Sequence, residues 1–126
     1  MANVSDSITV LSTGSAIGFT MPSSFTPTEL EFRVFSKNGS STSTQWMNSK
    51  VDSGGYATLG AIAKDNSTTT PKNTTSTTKC ISVWEYVSGT WTEVVAATFH
   101  SFTSTGFKLN VSAVNSNYTI FYTART

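Results

Sequence analysis

The chain has 126 residues and a mass of 13.5 kDa, enough for one hydrophobic core and too little for two. Only 12% of residues are charged, the formal net charge is +1, and the eight Lys and Arg residues are scattered singly. That excludes a basic surface for tracking phosphates and argues against electrostatic steering of a partner. Hydroxyls replace the missing charge, with 20 Ser and 23 Thr. Aromatic residues at 12%, interleaved with Val, Ile and Leu, demand burial, so the composition predicts one folded domain over residues 1–126 rather than disorder. Cys80 is the only cysteine, which leaves no disulfide framework or thiol metal site. The start, Met1 to Asp6, has neither the basic residues nor the apolar run of a signal peptide. No run of 18 apolar residues is present to span a membrane.

Period-two alternation recurs along the chain, and helical periodicity is weak. Ser7 to Leu11 reads as a first strand with Ile8 and Val10 on one face. After the turn Ser12 to Ser15, a second strand sets Ile17, Phe19 and Met21 on one side. Glu29 to Phe35 alternates cleanly with Leu30, Phe32 and Val34 inward, and Asn38-Gly39 signals a turn. Thr44 to Asn48 reads as a short strand presenting Trp46. Tyr56 to Ala63 reads as another strand, although its Ala and Leu also suit a helical turn. Residues 65–78 carry no apolar side chain and are expected to form a long exposed loop. Lys79 to Val87 and Trp91 to His100 form a hairpin turning at Ser88-Gly89, a register that pairs Tyr86 with Trp91. Phe107, Leu109 and Val111 mark the next strand, and Asn117 to Ala124 closes the domain. Eight or nine short strands predict an all-β, antiparallel, jelly-roll-like β-sandwich.

The residues that could do chemistry do not converge. His100 is the single histidine, and among so many serines a neighbouring hydroxyl carries no information. Cys80 opens an apolar strand and reads as a buried, inert thiol. In the hairpin register Glu85 opposes Thr92 and Glu93 opposes Trp84, which puts the two acids on opposite faces. Glu29 and Glu31 share a face, about 7 Å apart by strand rise, but share it with Arg33, the pattern of a solvated charged face. Asp52 and Asp65 lack the spaced acidic companions of a calcium loop. No enzyme activity, catalytic residue, cofactor or metal ligand is expected.

Aromatics are the stronger signal. Trp46, Trp84, Trp91, Tyr56 and Tyr86 could form a sugar-stacking platform or fill the space between sheets. Trp84, Tyr86 and Trp91 fall on one hairpin face while Ile81, Val83 and Val87 fall on the other. The same doubling sets Phe35 against Val34 and Phe121 against Ile120. Strands apolar on both faces suggest a second cover, such as a neighbouring subunit. The candidate contact residues are therefore Phe35, Trp84, Tyr86, Trp91 and Phe121. Thr69, Thr70, Asn73 and Thr74 join them, because the Thr-rich loop could extend across a neighbour or simply remain solvated.

The stretch Ala97 to Val111, with its Thr/Ser turn leading into Gly106-Phe107-Lys108-Leu109, is followed by a closing Tyr118-Thr119-Ile120-Phe121-Tyr122-Thr123-Ala124 strand. Upstream, Phe25-Thr26-Pro27-Thr28-Glu29-Leu30 leads into a central strand. Together, over about half of the chain, these resemble small β-sandwich virion proteins of tailed bacteriophages. The resemblance implies a capsid decoration (cement) protein made in the host cytoplasm and bound to the outside of the shell. Its partners would be the major capsid protein or another virion protein, commonly with a trimeric homo-oligomer, and neither nucleic acid nor membrane. A tail or head-fibre module that recognises a host surface is the alternative, and a carbohydrate-binding module a further one.

Overall fold

A computed structural model describes residues 2–126. Ten strands form: β1 (Asn3–Ile8), β2 (Gly14–Thr20), β3 (Glu29–Val34), β4 (Ser43–Val51), β5 (Ala57–Asp65), β6 (Lys72–Ser76), β7 (Lys79–Val87), β8 (Thr90–Thr103), β9 (Gly106–Ala113) and β10 (Ile120–Arg125). They make two antiparallel sheets, one of six strands in the order β1-β10-β3-β4-β5-β6 and one of four in the order β2-β9-β8-β7. The fold is thus the expected antiparallel sandwich. The outer pairs β1 with β10 and β2 with β9 nest from the two chain ends inward, as in a jelly roll, whereas β3 to β6 run as a meander in one sheet.

The inward faces follow the alternation. Leu30, Phe32 and Val34 from β3 meet Ile81 and Val83 from β7, Val95 from β8 and Leu109 from β9, all buried. Phe107 is the aromatic centre: it stacks on Phe19 at 5.5 Å and takes Phe32 and Tyr122 edge-on at 5.6 and 5.3 Å. Gly106 makes that placement possible. A Cβ there would lie 1.9 Å from the Phe19 carbonyl oxygen, so only glycine lets β2 and β9 close around the Phe107 ring. At the hairpin, Ser88 and Gly89 both take positive φ, 50° and 83°, the geometry of a type I′ turn. The register there is as expected, with Tyr86 opposite Trp91 and Glu85 opposite Thr92.

Three expectations are corrected, besides the bounds of two strands: β8 runs to Thr103 rather than His100, and β10 is Ile120–Arg125 rather than Asn117 to Ala124. Tyr118 makes only an isolated bridge to Lys37. The first strand is Asn3–Ile8 rather than Ser7 to Leu11; Val10 is buried beyond its end and Leu11 is exposed. Residues 65–78 are not one loop, because Lys72 to Ser76 pair with β5 as β6, raising the strand number to ten. Thr-rich chain can pair through its backbone with no apolar side chain at all. Thirdly, β4 extends to Val51, nine residues instead of five. Its inward residues Gln45, Met47 and Ser49 do not read as an apolar alternation, yet all are buried.

Their role is to close the edge of the opposite sheet. The amide of Gln45 donates to the Trp84 carbonyl at 2.5 Å, the Ser49 hydroxyl donates to the Cys80 carbonyl at 2.5 Å, and the Ser82 N–H donates to the Met47 sulfur at 3.4 Å. Alternate side chains of β4 thus take the place of a neighbouring backbone along the free edge of β7. Replacing Ser49 by Ala strands the buried Cys80 carbonyl. The expected loss is about 1–3 kcal/mol in chemical denaturation, against less than about 0.5 kcal/mol for Asn48→Ala on the exposed side of the same strand.

Candidate functional site

The outer face of the six-stranded sheet sorts into two zones. One is polar. Glu29 bonds Lys50 at 3.0 Å and Arg125 at 2.7 Å; Arg125 also reaches Glu31 at 2.8 Å, and Arg33 lies 3.7 Å from Glu31. Arg33 further donates to the Thr123 hydroxyl at 3.2 Å, which bonds Ser5 at 3.0 Å. The shared face of Glu29, Glu31 and Arg33 is therefore a cross-strand ion-pair network, completed by Lys50 and Arg125 from the flanking strands.

The other zone is apolar. Phe121 pairs with Arg33, so Phe35, two residues further on, lies on the same side, and the two rings meet with centroids 5.5 Å apart. Trp46 in β4 and its cross-strand partner Ile62 in β5 extend the row. Exposure is 53% for Phe35, 51% for Trp46, 43% for Ile62 and 38% for Phe121. Four large apolar side chains, three from β10, β4 and β5 and Phe35 just past the end of β3, are thus exposed on one face of a hydroxyl-rich molecule. Lys64 lies over the Trp46 ring at 5.5 Å, and Gly60 beside Ile62 leaves the floor of the face bare.

The remaining candidates gather elsewhere, around the β7–β8 hairpin. Tyr86 packs edge-on against Trp91 at 5.4 Å, and the Trp91 ring N–H donates to the Thr70 carbonyl at 3.1 Å. Lys72 sits over the Trp84 ring at 4.3 Å. Beneath it the Trp84 ring N–H donates to Ser82, whose hydroxyl donates to Glu93, and Glu93 also accepts from Lys79. The second cover of this face is therefore the chain's own β5–β6 arm, with Thr70 folded back on the hairpin. Thr69, Asn73 and Thr75 remain exposed, while Thr74 turns inward with its hydroxyl buried and unbonded.

Among the described residues, the other groups capable of chemistry lie apart from one another. His100 is exposed, with Nδ1 at 2.8 Å from the hydroxyl of adjacent Ser101. The Cys80 thiol is buried, contacts the Ala97 carbonyl at 3.6 Å and is pushed up by burial to about 12, so it is not a nucleophile near neutrality. Burial raises the Tyr118 phenol far above its ordinary range, and the Glu85 carboxylate beside it adds to the rise. Glu85 is held by Lys37 at 3.5 Å and Asn115 at 3.3 Å. Among the described residues, no three His, Cys, Asp or Glu side chains come together as metal ligands. The three tryptophans lie apart, Trp46 on the six-stranded sheet and Trp84 and Trp91 at the hairpin, so they do not form one stacking platform. Compared with known protein families, curated proteins and solved structures, the chain matches none.

The sequence singled out Phe35 and Phe121 as outward apolar residues without joining them, since 86 positions separate them (121 − 35). It missed Ile62 as a contact residue altogether. Only the register of β4 against β5, which sets Ile62 opposite Trp46, could have signalled it.

Hydrogen bonds from Lys50 and then Arg125 hold the Glu29 carboxyl below its ordinary value. A carboxylate with a depressed folded-state pKa stabilises the fold above its unfolded value and loses that contribution as pH falls through the folded one. The expected outcome is that Glu29→Gln lowers stability at neutral pH but flattens the decline on the acid side below about pH 4.3. Thermal melts across that range check this.

Proposed function

We propose that the chain is a structural, contact-making protein of a tailed-phage virion, a capsid decoration protein that docks on the outside of the shell. The observation that carries this reading is the Phe121, Phe35, Trp46 and Ile62 stripe on the outer face of the six-stranded sheet. Exposed aromatic surface bordered by polar groups is the anatomy of a docking face. The ion pairs beside it are internally matched, Glu29 with Lys50 and Arg125, and Glu31 with Arg125 and Arg33. Such a face gains little from the charge of its partner, so attachment by apolar contact and hydrogen bonds varies little with salt. That behaviour suits a protein held at many copies on a particle.

The phage-like motifs support the same reading at the level of the fold. Gly106-Phe107-x-Leu109 supplies the close β2–β9 approach and the central ring, and the closing strand supplies Tyr122 inward and Phe121 outward. These are packing roles within the sandwich. The reading places the protein in the virion after synthesis in the host cytoplasm, with the major capsid protein as partner.

Cosedimentation with assembled shells lacking this protein tests it. The wild type should bind at high copy number and raise the temperature at which shells rupture, with little loss as salt is raised. Trp46→Ala combined with Phe121→Ser should weaken binding at least about tenfold while leaving the melting temperature close to that of the wild type. Absence from shells, with a few copies per particle on tails, would favour the fibre reading instead.

A further inference from the structure

Each sheet of a sandwich ends in two edge strands, and an open edge is a template for another chain. Here β7, β2, β1 and β6 are the four. The β7 edge is closed by Gln45, Met47 and Ser49. The β2 edge is broken by a bulge between Gly14 and Ile17, with Ala16 at a φ of 53° and the Ala16 N–H turned to the Asn110 side chain. On β1, Asp6 stands exposed at mid-strand. Against these, β6 (Lys72-Asn73-Thr74-Thr75-Ser76) has no bulge, no proline and no carboxylate. Its single charge, Lys72, lies over the Trp84 ring, which takes it away from guarding the edge. Among the described residues its backbone makes no ladder other than the one to β5.

From this contrast we propose that β6 is a self-association edge, pairing antiparallel with β6 of a second copy about a two-fold axis at Thr74, so that two six-stranded sheets join as one of twelve. The sequence of β6 is self-complementary in that register. Lys72 opposes Ser76 of the other copy, Asn73 opposes Thr75, and Thr74 opposes Thr74, so no like charges face each other across the seam. A two-fold contact of this kind is isologous and closes at two copies. The exposed side chains at the seam, Asn73 and Thr75, are neutral and polar, and each faces the other across the two-fold axis. The occupant is therefore a second copy of this chain. The inference does not rest on the virion reading, because it is argued from the backbone edge of β6 rather than from the exposed stripe.

A single five-residue strand makes a small interface, so the dimer is expected to be weak and concentration-dependent. Sedimentation velocity over a wide concentration range should show the wild-type mass rising from 13.5 kDa towards twice that value. Asn73→Lys with Thr75→Lys places like charges opposite each other across the seam, on side chains exposed in the single copy. That variant should stay at the single mass throughout while keeping its β-sheet circular dichroism. Asn73→Lys with Thr75→Glu sets opposite charges across the same positions and should restore the dimer. A wild type that holds the single mass at every concentration, a mass beyond two copies, or two variants that behave alike would overturn the proposal.

Discussion

Everything else in this fold depends on how the free edge of β7 is satisfied. A sheet edge carries a row of backbone donors and acceptors, and burying them unpaired costs more than most side-chain contacts return. The six-stranded sheet answers with side chains at every second position of β4, Gln45 on the Trp84 carbonyl, Met47 on the Ser82 N–H and Ser49 on the Cys80 carbonyl. The result is a side-chain ladder at right angles to the usual one, and it fixes the sheets to each other in register as well as by apolar contact. A one-residue slip of β4 would turn Gln45 and Ser49 out to solvent and bring Trp46 and Asn48 in.

That seam determines where the rest of the chain can go. With β7 held against the inner face of β4, β5 and β6 continue past it, so that Lys72 covers Trp84 and Thr70 takes the Trp91 N–H. The aromatic face of the hairpin is thereby covered from within the chain. The outer face of the six-stranded sheet is left with the Phe121–Ile62 stripe, and the sheet is left with an unguarded edge at β6.

The sequence displayed those parts of the fold in which an apolar residue recurs at every second position. Leu30, Phe32 and Val34 declared β3, and the Ser88-Gly89 turn with its Tyr86–Trp91 pair declared the turn and register of the hairpin, though not the extension of β8 to Thr103. It hid those strands whose inward positions are polar. The end of β4 from Ser49 to Val51 was invisible because the burial of Ser49 makes sense only once the β7 edge is there to receive it. All of β6 was invisible because it pairs by backbone alone. The contact stripe was half legible for a related reason. Alternation marked Phe35 and Phe121 as outward, but their meeting, and the addition of Trp46 and Ile62, depend on strand order, which no local pattern encodes.

Native-state hydrogen exchange at the Ser82 amide tests the β4–β7 seam most directly. An edge-strand N–H open to water exchanges by local fluctuation, whereas one sealed against Met47 exchanges only when the sheets separate. The seam predicts protection of Ser82 equal to that of the central β8 amides, approaching global unfolding. Exchange at Ser82 orders of magnitude faster than at β8 would contradict it and leave the sheets joined by apolar packing alone.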